Sequence, residues 1–390
     1  MDYFLTSDQK MIQDLARKIA VDKVAPVRAE LDEKEEFPWE IMKICAEAGL
    51  FGVSIEEEYG GIGGGVLENC LAVEELSRVC LGVATSYAGS GLGAHPIMLY
   101  GSPEQKKKYL PDIASGKRLA AFGLTEADAG SDAGAIRTTA NRKGDGYFLN
   151  GTKQWITNGG EAEIYTVIAI TDRSKGPRGA SAFILEKGMP GFDFGKKEKK
   201  LGIRASATRE LVFQDCYVPK ENLIAKEGMG FIVTMRTFDR TRPGVGAQGV
   251  GLAQGSLDEA VRYAREREQF GKKIISFQAI QHLLADMATQ VEAARALVYS
   301  VARYIDQSEN PKEISKVSGM AKVFASDVAM RVTTDAVQVF GGYGYMREYP
   351  VEKMMRDAKI LQIYEGTNQI QRNVIGLELS KEYAGKKLER

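Results

Sequence analysis

The sequence predicts a multidomain α+β protein in which a helical region, a β region and a second helical region follow one another. Three observations support this order. Apolar residues recur at helical spacing up to about residue 118, the period falls to two over about 119–228, and long helical stripes return over about 229–390. Because the strands do not alternate with helices, a doubly wound sheet is excluded as the expected fold. At ~150 residues per domain, the 390 residues allow two or three domains.

The first region begins with a predicted capping box of Thr6 and Gln9, after which apolar residues follow at helical spacing. Phe37-Pro38 is expected to open a second helix, which Gly49 ends. The glycine-rich stretch 60–65 is typical of a loop, and two further helices are expected after it. This part of the chain is therefore predicted to be a helical domain.

The middle region is predicted to hold six to eight strands, as a β-barrel or a sandwich. Asn150-Gly151 and Asn158-Gly159 are dipeptides favoured in hairpin turns, and they flank the segment Gln154–Thr157. Ile164–Ile170 is a short run rich in β-branched residues and is expected to be a further strand.

The last region is predicted to be a bundle of long helices. An apolar stripe runs from Ile280 to Val301, and a helix of that length normally packs in a bundle. Pro311 is expected to end it, and a second helix over 317–339 is expected to stop at Gly341-Gly342. The chain from Asp357 onward is predicted to form the last helix.

Composition excludes several classes of protein. Lys plus Arg and Asp plus Glu both number 52, and this balance argues against binding to nucleic acid or to an anionic membrane. No apolar run reaches the ~20 residues of a membrane span, and the N-terminus does not resemble a signal peptide. Four cysteines without a CxxC pair fit reduced core thiols. A bacterial cytoplasm is therefore expected, in preference to the mitochondrial matrix.

Several site patterns are also excluded. With only His95 and His282, one chain cannot build a three-histidine zinc site, and no metal is expected. The nucleophile elbow and the Walker loop are absent. The stretch 244–249 matches G-x-G-x-x-G, but Arg242-Pro243 precedes it where a strand is needed. Close packing on a bundle helix explains these glycines better.

Two segments of the middle region suit a ligand. Hydroxyls and glycine-exposed N–H groups in the run 123–132 form a natural nest for carbonyls, imides or phosphates, although the residues by themselves favour a solvated loop with Asx turns. The indole of Trp155 and the hydroxyl of Thr157 could pack on a planar aromatic ligand. Core packing of Trp155 is the common alternative.

Glu365 is the candidate base. It lies between apolar and small residues, and a carboxylate in a dry setting has a raised pKa and can accept a proton. The alternative is a helix-terminal glutamate paired with Arg356 or Arg372. The residues alone leave both interpretations open.

These segments together resemble the acyl-CoA dehydrogenase family of flavoproteins over nearly the whole chain. Gly123–Ala135, GLTEADAGSDAGA, resembles the first signature of the family, and Arg356–Arg372, RDAKILQIYEGTNQIQR, resembles the second. Further matches are Trp155–Gly159, Val218-Pro219, Arg267-x-x-Phe270-Gly271 and Gln338-x-x-Gly341-Gly342.

The resemblance implies an N-terminal helical domain (1–118), a middle β domain (119–228) and a C-terminal four-helix bundle (229–390), with FAD bound between the last two. It implies a homotetramer, a dimer of dimers. FAD contacts are implied for Phe122, Leu124, Thr125, Ser131, Trp155, Thr157, Thr367 and Gln369. At the adenine and pyrophosphate end, across a subunit interface, they are implied for Arg267, Phe270, Gln278, Gln338, Gly341 and Gly342. Acyl-CoA contacts are implied for Ser131, Asp239, Arg242, Tyr364 and Gly366.

The implied reaction removes a proton from C2 of an acyl thioester and a hydride from C3, giving a trans-2-enoyl-CoA. Glu365 would be the base, flavin N5 would take the hydride, and electron-transfer flavoprotein would take the electrons. Hydrogen bonds to the thioester oxygen, one from the Glu365 N–H, would stabilise the developing enolate. Retention of Glu365 argues against the alternative of a non-catalytic acyl-CoA-binding protein.

Substrate and direction are less defined by the sequence. Phe238–Pro243 resembles medium-chain members, whereas Ala182–Glu186 and Gly195–Glu198 resemble bacterial butyryl-CoA enzymes. No basic residue occurs in Ser86–Gly93, so a free distal carboxylate on the acyl group is disfavoured, while Ala88 and Gly91 leave room for a branched or cyclic group. An enoyl-CoA reductase working in reverse and a flavin oxidase remain alternatives.

Overall fold

The computed structural model describes residues 3–308 and 311–384, and its first third is helical, as predicted. The helices there are α1 (Ser7–Ile19), α2 (Arg28–Glu33), α3 (Trp39–Glu47), α4 (Val66–Val79), α5 (Leu81–Tyr100) and α6 (Pro103–Ala114). The capping box is confirmed: the Gln9 N–H donates to Thr6 Oγ1 at 3.2 Å, and the Thr6 N–H donates to Gln9 Oε1 at 3.0 Å. Gly49, with φ of +73°, follows the end of α3.

The middle region is a mixed eight-stranded sheet. Its strands are β1 (Ala120–Gly123), β2 (Thr139–Lys143), β3 (Gly146–Thr157), β4 (Ile164–Ile170), β5 (Ala180–Glu186), β6 (Phe192–Lys197), β7 (Thr208–Pro219) and β8 (Leu223–Ile224). The order is β6-β7-β3-β2-β4-β5-β8, and β1 pairs with β4 in parallel. β4 is buried on both faces, with Ile164 and Ile168 in one apolar core and Tyr165 and Val167 in another, which explains its continuous apolar run.

The predicted hairpin at Asn150-Gly151 is wrong. β3 runs straight through these residues, with a register shift against β7 between Leu149 and Gly151. A Cβ on Gly151 would lie 2.8 Å from the backbone of Thr138, so the glycine permits a close approach of two chain segments. The turn between β2 and β3 lies earlier, around Gly144, whose φ is +65°.

The last region consists of long helices followed by two shorter ones. They are α7 (Gly230–Glu266), α8 (Gln278–Gln307), α9 (Pro311–Phe340), α10 (Val351–Leu361) and α11 (Asn368–Tyr383), and a small hairpin of β9 (Glu268–Gln269) and β10 (Lys272–Lys273) joins α7 to α8. The prediction of one final helix from Asp357 is wrong, because α10 and α11 are separated by a turn at residues 362–367. The α+β class with its helical, β and helical order is confirmed.

Helix α7 is the axis of the C-terminal region, since it packs against α4, α8 and α9. The G-x-G-x-x-G stretch lies inside this helix, and a Cβ on Gly249 would meet the Ala325 carbonyl oxygen of α9 at 2.8 Å. Packing therefore explains these glycines, as expected. Within residues 3–308 and 311–384, no helix combines the length and the apolar character needed to cross a membrane. All four cysteines are buried and free.

Candidate active site

A cleft opens where α5, the ends of β1 and β3, α7 and the turn 362–367 meet. Its lining includes Phe122, Leu124, Thr125, Trp155, Thr157, Tyr364 and Glu365 from the predicted site, and also Asn69, Thr85, Ala88, Gly89, Gly91, Leu92, His95, Ile156, Phe238, Thr241, Gly244, Val245 and Gln248. The two signature stretches are more than 200 positions apart in the printed sequence, and both contribute residues to the lining of this one cavity.

The turn between α10 and α11 presents Glu365 to this cleft. Glu365 and Gly366 have φ values of +50° and +93°, so two successive left-handed residues reverse the chain. Left-handed backbone is unfavourable for a glutamate and persists only where other contacts hold it. Arg242 Nε and Gln371 Nε2 both donate to the Glu365 carbonyl oxygen, each at 3.1 Å. These two contacts fix the conformation of the turn from α7 and from α11.

The Glu365 carboxylate has one hydrogen-bonding neighbour among the described side chains. Thr241 Oγ1 donates to Glu365 Oε2 at 2.7 Å. Burial raises the pKa of Glu365, and the Thr241 hydroxyl and the charges of Arg242 and Lys322 partly oppose that rise. A carboxyl group with a raised pKa in a cleft is suited to accept a proton.

The alternative ion pairs of Glu365 are not formed. Arg356 binds Asp32 at 2.8 Å and Glu352 at 2.8 Å, and Arg372 binds Asp327 at 2.6 Å. Both arginines are therefore occupied elsewhere.

The lining of the same cleft carries the indole of Trp155, a residue that is 56% exposed and has φ of +58°. The alternative in which Trp155 packs in the core is therefore wrong. β3 shifts register between Lys153 and Ile156, and this bulge changes the direction of the Trp155 side chain. No hydrogen bond of the Thr125 or Thr157 hydroxyl is formed within the described part of the chain. An open indole beside two free hydroxyls fits a flat aromatic ligand that carries polar ring atoms.

A buried ion pair fixes the loop that leads to this wall. Lys153 Nζ donates to Glu126 Oε1 at 2.6 Å and to the Leu124 carbonyl oxygen at 2.9 Å. Glu126 also accepts the N–H groups of Arg137, at 2.6 Å, and Thr138, at 3.0 Å. Burial lowers the pKa of Lys153 to about 8, against the attraction of Glu126. The ion pair therefore ties together the two ends of the loop 123–138, while most residues in its middle are exposed.

Other predicted contacts lie outside the cleft lining. Asp239 and Arg242 are buried behind the turn, with Arg242 NH1 3.6 Å from Asp239 Oδ1, and Ser315 Oγ donates to Asp239 Oδ2 at 2.7 Å. Thr367 caps α11 by accepting the Ile370 N–H at 3.2 Å. Ser131 and Gln369 are exposed. Gly366 belongs to the turn itself, where its φ of +93° helps to reverse the chain.

A second cavity lies at the C-terminal ends of α7 and α9. It brings together Arg267, Gln338, Gly341 and Gly342 from the predicted set, with Tyr263, Gln269, Ile274, Val339, Phe340, Tyr343 and Met346. The Arg267 guanidinium lies 5.4 Å from the centre of the Tyr343 ring. Phe270 and Gln278 are exposed and lie outside this lining, on the β9–β10 turn and at the start of α8.

The polar residues of the site that sequence reasoning missed include Lys153, Thr241, Gln248 and Lys322. Tyr364 OH donates to Gln248 Oε1 at 2.5 Å, and Lys322 Nζ donates to the Gly366 carbonyl oxygen at 2.8 Å. For Lys322 the available indication was a lysine that has the small residues Ser318, Ala325 and Ser326 at helical spacing.

Three family models cover most of the chain. They describe the N-terminal domain of acyl-CoA dehydrogenase (residues 6–117), its middle domain (121–216) and its C-terminal domain (228–379).

Two curated relatives match over almost their full length. A short-chain specific acyl-CoA dehydrogenase of Clostridium acetobutylicum is 50% identical, over 96% of this chain and 98% of its own. Acryloyl-CoA reductase (NADH) of Anaerotignum propionicum is 48% identical, over 98% of this chain and 96% of its own.

Solved structures agree with this relationship. A chain from a structure of the electron transferring flavoprotein of Acidaminococcus fermentans has a TM-score of 0.95 and 53% identity, over 97% of this chain and 99% of its own. Butyryl-CoA dehydrogenase of Megasphaera elsdenii has a TM-score of 0.94 and 49% identity, over 97% and 100%. An acyl-CoA dehydrogenase of Bacillus anthracis complexed with FAD has a TM-score of 0.92 and 37% identity, over 100% of this chain and 71% of its own.

The Bacillus anthracis structure is a complex with FAD, and the exposed indole and free hydroxyls of the cleft fit the ring system of that cofactor. The chain therefore belongs to the acyl-CoA dehydrogenase family of FAD-dependent oxidoreductases.

Proposed function

We propose that this enzyme oxidises a short-chain acyl-CoA to its trans-2-enoyl-CoA, with Glu365 as the base that removes the C2 proton. The observation that carries the proposal is the carboxylate of Glu365 in the same cleft as the exposed Trp155 indole. A thioester between these two groups would have a proton acceptor on one face and a flavin on the other.

Two properties of the turn support this role. A C2 proton beside a thioester is a weak acid, so a base with a raised pKa is better matched to it than an ordinary carboxylate. Burial raises the pKa of Glu365 in the required direction. The Glu365 N–H has no hydrogen-bond partner among the described residues, so it is free to donate to the thioester oxygen as negative charge develops there.

The two cavities suggest how FAD is held. FAD, when bound, supplies the acceptor for the hydride that leaves C3. Thr125, Trp155 and Thr157 would hold its ring system in the cleft. Arg267, with a fixed charge and a bidentate fork, suits a pyrophosphate, and with Gln338, Gly341 and Gly342 it would serve the FAD of a second subunit. Under this proposal the protein is at least a dimer, and a tetramer is expected.

A short acyl chain is supported by the polar end of the cleft. Gln248 and Tyr364 are joined by a 2.5 Å hydrogen bond, and Thr85 lies beside them in the lining. A long apolar chain packed against these polar groups would shield them from water, which is unfavourable, so a short chain is favoured. Near Gly91 an added Cβ would meet nothing within 4 Å, so a modest branch is also accommodated.

The test is an anaerobic titration of the FAD-loaded protein with butyryl-, isobutyryl-, cyclohexanecarboxyl- and octanoyl-CoA, followed at the flavin absorbance. Butyryl-CoA is expected to remove the absorbance fastest. No loss with any thioester would contradict the proposal, and a clear preference for octanoyl-CoA would contradict the short-chain assignment. Peroxide formed without an added acceptor would instead identify an oxidase.

Reduction of an enoyl-CoA is a second candidate, because one relative at 48% identity is named acryloyl-CoA reductase (NADH). In either direction we propose an electron-transferring flavoprotein as the partner, supported by the match to a chain from a structure of such a flavoprotein. The measurement is acryloyl- or crotonyl-CoA consumption with NADH and that flavoprotein, compared with butyryl-CoA oxidation by the same pair. The faster direction identifies the function.

A further inference from the structure

Lys322 is a fully buried lysine directly behind the Glu365 turn. It lies on α9, its exposed fraction is 0%, and its Nζ donates to the Gly366 carbonyl oxygen and to Asn368 Oδ1, each at 2.8 Å. No carboxylate forms an ion pair with it within the described chain. Gly366 lies in the turn, and Asn368 is the first residue of α11.

An ammonium group buried without a counter-ion is unfavourable for the fold. Burial lowers the pKa of Lys322 to about 7. An apolar residue of similar volume would avoid that cost, so the lysine needs a role other than packing. Its hydrogen-bond partners in the described part of the chain, the Gly366 carbonyl and Asn368, locate that role at the turn.

The partners of Lys322 are themselves fixed. Asn368 Nδ2 donates to Ser326 Oγ at 2.9 Å and to Asp327 Oδ1 at 2.8 Å. Ser326 is one helical turn beyond Lys322 on α9. Lys322 and its partner Asn368 therefore belong to one hydrogen-bond network, which restricts the movement of the Lys322 ammonium group.

Four charged groups face Lys322 from the surrounding elements. They are Glu365 in the turn, Arg242 on α7, Asp327 on α9 and Arg372 on α11. Arg372 and Asp327 form an ion pair at 2.6 Å, and Arg242 lies 3.6 Å from Asp239. Glu365 is the one carboxylate of this group without an ion-pair partner, and the charge of Lys322 favours its ionised form.

We propose that Lys322 is a positioning residue for Glu365. Its ammonium holds the Gly366 carbonyl, keeps the left-handed turn that aims Glu365 into the cleft, and places a positive charge behind the carboxylate. This inference rests on the proposed role of Glu365 as the base. No step of the reaction passes through Lys322 itself.

The experiment compares Lys322→Met, Lys322→Gln and the wild type, each loaded with FAD. Methionine removes both the charge and the donor, whereas glutamine retains a donor. Thr333→Val is the matched control, because Thr333 is also buried on α9 but bonds only its own helix. Fold and FAD content are checked first by circular dichroism and by the flavin absorbance of the purified protein.

We expect Lys322→Met to lower kcat by roughly tenfold or more, because a misplaced base loses transition-state contacts. The acidic limb of kcat/KM against pH should move to higher pH by on the order of one unit, because Glu365 loses a stabilising charge. Lys322→Gln should recover part of kcat and show the same displaced limb. Thr333→Val should match the wild type in both.

An unchanged acidic limb in both lysine variants would overturn the proposal. So would the loss of FAD or of the fold in both, which would assign Lys322 to stability alone. Glu365→Gln is measured in parallel. If that variant turns over normally, the proposed function fails instead, so the two failures are distinguishable.

Discussion

The cleft is closed on two sides by segments that each rest on a buried lysine, and the two lysines are paired differently. Lys153, behind the loop 123–138, binds the Glu126 carboxylate at 2.6 Å. Lys322, behind the turn 362–367, binds only the uncharged oxygens of Gly366 and Asn368. Both side chains are 0% exposed. Burial lowers the pKa of both lysines, to about 8 and about 7.

This difference in pairing indicates different roles: Lys153 supports the fold of a loop, whereas Lys322 acts on the turn that carries the proposed base. At Lys153 the charge is neutralised within the loop, so the pair fixes the wall on which a flavin would lie and adds little field to the cleft. At Lys322 the positive charge is left for Glu365, whose pKa it lowers against the effect of burial. A change on the loop side should therefore affect stability first, and a change on the turn side should affect turnover first.

The largest effect is expected for Glu365→Gln. Removing a general base from its position costs about 10²- to 10⁴-fold in rate, so kcat should fall by that factor while FAD content and acyl-CoA affinity stay within about twofold. Steady-state kinetics with butyryl-CoA and a flavin-band titration measure the two quantities. Glu348→Gln, an exposed glutamate before α10, is the matched control and should be unaffected.

Lys153→Met should give the largest loss of stability. It leaves Glu126 buried and unpaired, and breaking a buried ion pair in this way costs about 3–5 kcal/mol. Urea unfolding followed by circular dichroism at fixed protein concentration measures the loss. The double variant Lys153→Met/Glu126→Gln should recover part of it, because no unpaired charge remains. Equal stability of Lys153→Met and Lys322→Met would break the contrast between the two lysines.

Thr241→Val should change pH dependence more than stability. In the wild type, kcat/KM should fall as the pH is lowered through the raised pKa of Glu365, since only the ionised carboxylate accepts a proton. The valine variant loses the 2.7 Å hydrogen bond to that ionised form, so the fall should begin at higher pH. At pH 6, a loss of roughly five- to tenfold is expected from one charge-assisted hydrogen bond. Thr241→Ser should restore the wild-type profile, and an unchanged valine profile would argue against Glu365 as the titrating base.

The smallest effect is expected for Thr367→Ala, at the far end of the same turn. Loss of an N-cap side chain costs about 1 kcal/mol, and the alanine variant should lose that much stability while Thr367→Ser keeps it. FAD affinity is measured on both. A loss of affinity that exceeds the loss of stability would support the cofactor contact that the family resemblance implies for Thr367.

Much of the architecture was predictable because it depends on local patterns. The Thr6–Gln9 capping box, the change of period near residue 119 and the long helices around Pro311 follow from neighbouring residues. The second signature stretch also located Glu365, and the shorter matches at Trp155–Gly159 and Gln338-x-x-Gly341-Gly342 located Trp155 and the glycines of the second cavity. The turn predicted at Asn150-Gly151 is not formed, because β3 pairs with β7 on both sides of this dipeptide and this pairing outweighs the local turn propensity.

The sequence by itself determined the order of helices and strands and the chemical groups available to the site, since both are properties of short segments. Only the tertiary structure decided that Trp155 faces the cleft, that Thr241 bonds Glu365, and that Lys322 lies behind the turn 44 positions away from Gly366. The physical reason is that a bulge in one strand and the crossing of α7 and α9 set these directions and distances. Such packing depends on all of the elements together, so no single residue of the sequence indicates it.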